Sequence, residues 1–261
     1  MKFTTLAVAA LLAAVSATAG VTYDFHSETS GMQQVTIDGK ASVEGANVRM
    51  NVARGDGVMF KDGATMISRD GGKTLAIYDP NAKTYFEISL DQMMASVADV
   101  LKSSMVKIAF THPSVTLKDG GDGGTIEGFP TQKAILDASV DINIDAMGQT
   151  MTSKMSMHSE SWTTDKLAGT TPNFFQQRTL ATGVDALDTL IAAQSKSLQG
   201  RFPLKQVTTV HVLQGGQDIA TTTTATVTNV KQKALVAAVF AAPEGYTRVD
   251  NPLEAMEKRK M

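Results

Sequence analysis

The sequence predicts an α+β, mainly β protein in which a curved antiparallel sheet forms a half-barrel with two helices on its concave side. Apolar and polar residues alternate with a period of two, as in Val48-Arg49-Met50-Asn51-Val52. This alternation is typical of strands that bury one face. Turn pairs such as Asp38-Gly39 and Asp62-Gly63 recur at short spacing, and Asp-Gly supplies the positive φ that tight hairpins require. No long linker interrupts the pattern, so we expect residues 20–261 to form a single domain.

The first 19 residues have the pattern of a cleavable signal peptide. Lys2 is followed by an uncharged apolar run from Phe3 to Val15, and Ser16-Ala17-Thr18-Ala19 ends in the small residues that signal peptidase accepts. The run is shorter than the about 20 residues that a helix needs to span a bilayer. We therefore expect cleavage after Ala19 and a periplasmic or secreted product. Loss of Lys2 would change the formal net charge from −2 to about −3.

The predicted elements follow in chain order. Residues 21–90 contain five or six strand segments that form an antiparallel meander. A first amphipathic helix is predicted over 91–105, where Asp91 is a suitable N-cap. A strand over 106–117 and a flexible loop at the glycine-rich segment 120–124 come next.

Two hairpins and a second helix complete the prediction. Residues 131–145 and 150–163 form the first hairpin, and 205–213 with 221–230 form the second. The helix between them is predicted over 184–198, with Gly200 just past its end. We expect this helix to lie against the sheet.

Several chemistries are disfavoured by the sequence. The chain has no cysteine, which excludes disulfides, thiolate metal sites and a lipid-anchored N-terminal cysteine. Gly72-Lys73-Thr74 lacks the earlier glycine of a phosphate-binding loop, since Ile67 stands there. The four histidines match no zinc motif, there is no Gly-x-Ser-x-Gly segment, and no basic stripe suggests nucleic acid. We expect a protein that is not an enzyme and holds no cofactor.

Methionine is unusually abundant, with 14 in the chain. Met147, Met151, Met155 and Met157 stand close together, beside His158. Three interpretations stay open for this stripe: flexible thioether side chains fill the core, line a cavity that adapts to apolar ligands, or bind Cu(I), a soft ion.

Several short segments resemble known bacterial families. Tyr78-Asp79-Pro80 with Lys83 and Tyr85 resembles a hairpin of the lipoprotein-carrier-like periplasmic proteins. The remaining matches resemble an uncharacterised exported family with a C-terminal F..P.GY signature, and they are Gly128-Phe129-Pro130-Thr131, Trp162, Phe202-Pro203-Leu204, Phe240, Pro243, Gly245 and Tyr246. The resemblance implies a half-barrel whose hollow holds acyl chains in the carriers. The arginine of the carriers' cavity has no matching position in this chain.

Two hypotheses about function follow. The first is a monomeric binding protein for a hydrophobic or lipid-like molecule, which would be buried in an internal apolar cavity of at least about 300 Å³. The predicted wall residues are Ile142, Ile144, Met151, Met155, Met157, Leu187, Leu190 and Ile191. The alternative is a structural or interaction protein that docks on a cell-envelope partner through an exposed strand edge.

Overall fold

The computed structural model of the 261-residue chain describes residues 20–31, 33–56, 60–89, 106–146, 149–168, 182–198 and 200–252. The predicted signal peptide and the helix predicted over 91–105 lie outside these ranges. The architecture below is that of the described residues.

All described strands belong to one large curved sheet. They are β1 (Val21–Ser30), β2 (Val35–Glu44), β3 (Asn47–Arg54), β4 (Thr65–Ser68), β5 (Thr74–Asp79), β6 (Thr84–Ser89), β7 (Val106–Ile126), β8 (Phe129–Ala146), β9 (Gln149–Thr164), β10 (Phe202–Gln214), β11 (Gln217–Gln232) and β12 (Thr247–Arg248). Their order across the sheet is β12-β6-β5-β4-β3-β2-β1-β11-β10-β9-β8-β7. Every neighbouring pair is antiparallel except β12 with β6. The mainly β, antiparallel prediction is confirmed, and β1 to β6 are the predicted meander.

The prediction of a flexible loop at residues 120–124 is wrong, because β7 continues through this segment and pairs with β8 as far as Ile126. Register shifts follow Asp119 and Asp122, whose carboxylates accept the N–H groups of Gly121 and Gly124. Both glycines have positive φ. The glycines therefore form β-bulges inside a strand, which a sequence pattern does not distinguish from a loop.

The second predicted helix is confirmed as α1 (Asp185–Leu198). Its first turn is fixed by Asp188, whose Oδ1 accepts hydrogen bonds from the backbone N–H (2.6 Å) and the hydroxyl (2.8 Å) of Thr182. The helix contacts β7, β8 and β9. Two helices were predicted to lie over the sheet, and the described part of the chain contains one of them. None of the described helices is long and apolar enough to cross a membrane.

The main core is formed by residues of β1, β2, β3 and β10 together with Leu167. Its buried residues are Val21, Tyr23, Ala41, Val43, Val48, Leu167, Phe202 and Leu204. Tyr23 packs edge-on against Phe202 with ring centroids 5.3 Å apart, and its burial raises the pKa of its hydroxyl above the ordinary value. A second cluster of Met66, Ile77, Phe86 and Ile88 continues this core under β4 to β6.

The C-terminal segment packs against the part of the sheet that contains β3 to β6. Arg49 and Arg69 donate hydrogen bonds to backbone carbonyls of Val239 and Phe240 in the 3-10 helix Ala237–Phe240. Tyr246 packs edge-on against Tyr78, 5.3 Å between centroids. The C-terminal residues singled out from the sequence thus include Phe240, which is buried, and Tyr246, which packs on the hairpin of Tyr78.

The opposite end of the sheet is formed by β7, and no described strand pairs with its outer edge. Three register shifts interrupt this strand, and Pro113 follows His112, which has a positive φ. Bulges and proline weaken an edge as a template for another strand. The hypothesis of an envelope partner docked on a strand edge gains no support here.

Candidate ligand-binding face

The sheet has two faces of different chemistry, which the strand register separates. Residues directly opposite on paired strands point to the same side. Val140, Met155, Val212 and Ile219 are opposite one another across β8 to β11, as are Ala138, Met157, Val210 and Thr221. Because α1 packs on Ala138 and Val140, we call this side the helix face and the other side the polar face.

The structure brings most of the predicted wall residues together. Ile142, Met155, Met157, Leu187 and Leu190 belong to one cluster around the buried residues Ala138, Val140 and Ala186. Ile144 and Met151 are opposite each other on the same face, nearer the β8–β9 turn. Ile191 is half-buried on α1, outside this cluster. The side chain of Met151 is 48 % exposed, so the apolar surface continues beyond the helix.

A band of hydroxyl groups adjoins the apolar rows on the helix face. Ser159, Thr208, Thr223 and Thr29 are opposite one another across β9, β10, β11 and β1. Ser159 Oγ lies 2.8 Å from Thr208 Oγ1, and Thr223 Oγ1 lies 2.9 Å from Thr29 Oγ1. We call these four residues the hydroxyl band. The sequence analysis missed it, although alternation in the threonine run 221–224 could have assigned Thr221 and Thr223 to one face.

All four histidines of the chain accompany aspartates on the polar side of the sheet. The Nδ1 atom of each lies within hydrogen-bond distance of a carboxylate oxygen: His26 with Asp38 (2.5 Å), His112 with Asp141 (3.1 Å), His158 with Asp137 (2.6 Å) and His211 with Asp218 (3.0 Å). The hydrogen bond from His158, together with one from Lys118, lowers the pKa of the Asp137 carboxyl. These pairs are exposed to solvent.

A cavity of about 700 Å³ lies mainly on this polar face. It is lined by the pairs of His158 with Asp137 and of His211 with Asp218, together with serine and threonine side chains. Of the eight predicted wall residues, only Met157 contributes to it. A second cavity of about 490 Å³ is lined by Asp119, Asp122, Lys166 and Arg201 and their neighbours. Neither has the apolar lining that the hypothesis of a hydrophobic ligand expects.

The register separates His158 from the methionine stripe, in which Met155 and Met157 share the helix face. Met157 and His158 are consecutive in β9 and therefore point to opposite faces. Ser153 separates Met151 from Met155 on the helix face, which places these two residues roughly 13 Å apart along the strand. Met147 lies outside the described residues. Over the described ranges, no group of three or more histidine, aspartate or glutamate side chains is placed to hold a metal ion.

Comparisons with known proteins give only distant likenesses. No family model and no curated protein matches the chain. Among solved structures, the chain is similar to a LolA superfamily protein from Nitrosomonas europaea, with 7 % identity, a TM-score of 0.32 and coverage of 86 % of this chain and 91 % of that one. A DUF1329 family protein from Desulfovibrio piger gives 9 % identity, a TM-score of 0.34 and coverage of 87 % and 91 %.

A third solved structure, PNGF-II, gives 13 % identity and a TM-score of 0.36, with coverage of 91 % of this chain and 32 % of that chain. Likenesses with such low TM-scores carry no argument about function.

Proposed function

We propose that the protein binds a hydrophobic, lipid-like molecule on the helix face and performs no chemistry on it. The observation that carries the proposal is the row of half-exposed apolar side chains on β8 to β11 that continues past α1. Met155, Met157, Val210 and Val212 are all only half-buried, and Met151 is 48 % exposed. A contiguous apolar surface of this kind marks an interaction site in a soluble protein.

The position of α1 determines where a ligand would lie. The helix packs directly on Ala138 and Val140, so β8 beneath it is filled by protein. The apolar rows continue across β9, β10 and β11, whereas the main contacts of the helix in the described part of the chain are with β7, β8 and β9. The ligand would therefore lie beside the helix, over β9 to β11, in the hollow of a half-barrel formed by the sheet's curvature.

The side chains on this surface suit a ligand of variable shape. Methionine is unbranched and polarizable, so Met155 and Met157 can repack around different apolar groups. Affinity would come from removing apolar surface from water, at roughly 25 cal/mol per Å². Nothing in this mechanism needs a cofactor or a nucleophile.

The proposal includes export of the protein, as its first 19 residues predict. The mature chain would begin at Gly20, directly before β1. N-terminal sequencing of the protein purified from the cells that make it would test this. A mature N-terminus at Gly20 is expected, and an intact Met1 in the purified protein would contradict export by cleavage.

Titration with N-phenyl-1-naphthylamine, whose fluorescence rises in an apolar site, tests the binding proposal. Met155→Lys places a charge on the helix face and is expected to lower the affinity at least about tenfold, because the ammonium would have to be desolvated. Ser156→Lys is the matched control, since Ser156 is the next residue of β9, is also half-buried and points to the polar face. Its affinity should stay at the wild-type value.

A second variant protects the test against misfolding. Met151 is largely exposed, so Met151→Lys should keep the fold and still weaken the probe. Thermal unfolding of each variant, followed by the emission of Trp162, the chain's one tryptophan, shows whether the fold is kept. Absence of probe binding by the wild-type protein, or equal binding by the Met155 and Ser156 variants, would overturn the proposal.

A further inference from the structure

On β9, β10 and β11 the helix face differs from the polar face in one respect beyond its apolar rows: its described positions there carry no charge. The charges that β7 brings to the same face, Asp119 and Asp122, are both negative. On β9 this face shows Met151, Ser153, Met155, Met157, Ser159, Ser161 and Thr163, on β10 it shows Gln206, Thr208, Val210 and Val212, and on β11 it shows Ile219, Thr221, Thr223, Ala225 and Val227. The lysines, histidines and carboxylates that these three strands contribute to their ladders lie on the other side. A charged group on this face would meet no opposite charge from these strands.

The hydroxyl band has hydrogen-bonding capacity to spare. Each hydroxyl has one donor and two acceptor sites, so the bond between Thr223 and Thr29 uses one of the pair's two donors. The bond between Ser159 and Thr208 likewise uses one of that pair's two donors. Gln206 Nε2 also donates to Ser159 Oγ at 3.2 Å. At least one hydroxyl proton in each pair is therefore not used by these hydrogen bonds. Ser159 is buried, whereas Thr29, Thr208 and Thr223 are half-buried.

The distances along β9 fit one acyl chain with a head group. Met151 and Ser159 are separated by roughly 26 Å at the rise of a strand. One leaflet contributes about half of the roughly 30 Å hydrocarbon thickness of a bilayer, so an extended acyl chain with its head at Ser159 would cover somewhat more than half of this distance and end just beyond Met155. An acyl chain that lies along Met155 and Met157 would place the head group of the ligand beside the hydroxyl band.

We infer that the ligand is a neutral amphipath: a single apolar chain with an uncharged, hydrogen-bonding head such as an ester or a hydroxyl, and not a free fatty acid. The inference rests on the proposed function and adds the class of ligand. A neutral oxygen takes hydrogen bonds from the spare hydroxyls of Thr208 and Thr223. A carboxylate would have to be desolvated without a cation among these strands, which is costly.

Displacement of N-phenyl-1-naphthylamine by two competitors of equal chain length tests the inference. The competitors are 1-monolaurin, which is neutral, and laurate, which is charged at pH 7. With wild-type protein, monolaurin is expected to displace the probe at a concentration at least about tenfold lower than laurate. Equal displacement, or stronger displacement by laurate, would overturn the inference.

The threonine side chains provide a matched pair of variants. Thr208→Val with Thr223→Val removes hydroxyls of the band while keeping the β-branched shape, and should weaken monolaurin about tenfold relative to the control below, after correction for each variant's own affinity for the probe. Thr209→Val with Thr222→Val is the control, because these two hydroxyls lie 3.0 Å apart on the polar face. The control should bind monolaurin as the wild type does.

Failure of the proposed function and failure of the neutral head group give different results. If the wild-type protein does not bind the probe, both the proposed function and this inference are overturned. If the probe binds but the Thr208 and Thr223 variant binds monolaurin as tightly as the control does, only the neutral head group is overturned.

Discussion

Met157 and His158 are neighbours in β9, yet they belong to different surfaces. Met157 packs in the cluster of the helix face, whereas His158 is hydrogen-bonded to Asp137 and exposed on the polar face. The same division runs along β8, where Leu136 is buried and the side chain of Asp137 is 42 % exposed. The helix face therefore carries the buried side chains of these two strands, and the polar face carries the solvent-exposed ones.

The two faces should differ in how much they contribute to stability. Apolar side chains on the helix face lose water on folding, and each buried one stabilises by about 1.5–3 kcal/mol. The exposed pairs of the polar face are screened by solvent, and such pairs contribute about 0–1 kcal/mol. The number of pairs on the polar face is thus a poor guide to its importance for the fold.

The largest expected effect comes from neighbouring residues of β8. Leu136 is 1 % exposed, and Leu136→Ala should lower the free energy of unfolding by about 2–5 kcal/mol through lost burial and a residual cavity. Asp137→Ala, one residue along, should cost less than about 1 kcal/mol. Urea unfolding followed by Trp162 emission measures both. Similar losses for the two variants would contradict the division into faces.

An intermediate effect is expected at the start of α1. Asp188→Ala removes the acceptor of two hydrogen bonds from Thr182, and should cost about 1 kcal/mol, as the loss of a helix cap does. Asp185→Ala is the control, because Asp185 stands in the same turn and is exposed. Thermal unfolding by circular dichroism compares them, and a larger loss for Asp185→Ala would show that α1 is held differently.

A smaller effect is expected from acid on the polar face. Hydrogen bonds from His158 and Lys118 lower the pKa of Asp137 below its unfolded value of about 3.9. Asp137 therefore contributes stability above about pH 4, and this contribution is lost as the pH falls through the lower pKa of the folded state. The wild type should lose slightly more stability than Asp137→Asn between about pH 4 and pH 2. A steeper loss for the variant in urea unfolding would contradict this sign.

No effect is expected from removing thioethers in a Cu(I) titration. Met151→Leu with Met155→Leu should bind Cu(I) as the wild type does, because the register keeps His158 away from the methionines. The substitutions conserve volume and should cost less than about 1.5 kcal/mol each. Tight Cu(I) binding that disappears in the variant would revive the copper interpretation of the stripe.

The sequence predicted the strands and α1 well because alternation and amphipathic spacing are local signals. The wall residues that the sequence assigned to the hairpin lie on one face of β8 and β9 for the same reason, and the pairing of Ile144 with Met151 is added by the structure. The continuation of β7 through residues 120–124 was not predictable, because it depends on β8 offering a partner. Gly123 also permits close packing, since a Cβ there would lie 2.8 Å from the Trp162 ring.

The residues of the candidate site could be grouped from the sequence only in part. The cluster around Leu190 followed from two local patterns, one on the helix and one on the hairpin. The hydroxyl band needs Thr29 and Thr223, which are far apart in sequence and become opposite only when β1 pairs with β11. The row of histidine–aspartate pairs is equally non-local, as in His26 with Asp38 of the next strand.

The most direct test of the central claim is photolabelling with 1-monolaurin that carries a diazirine on its chain, followed by peptide sequencing in a mass spectrometer. We expect label on Met155, Met157 and the other helix-face residues of β9 to β11, and its suppression by unlabelled monolaurin. Label concentrated on Ser156, His158 and their polar-face neighbours, or no suppressible label on any residue, would contradict it.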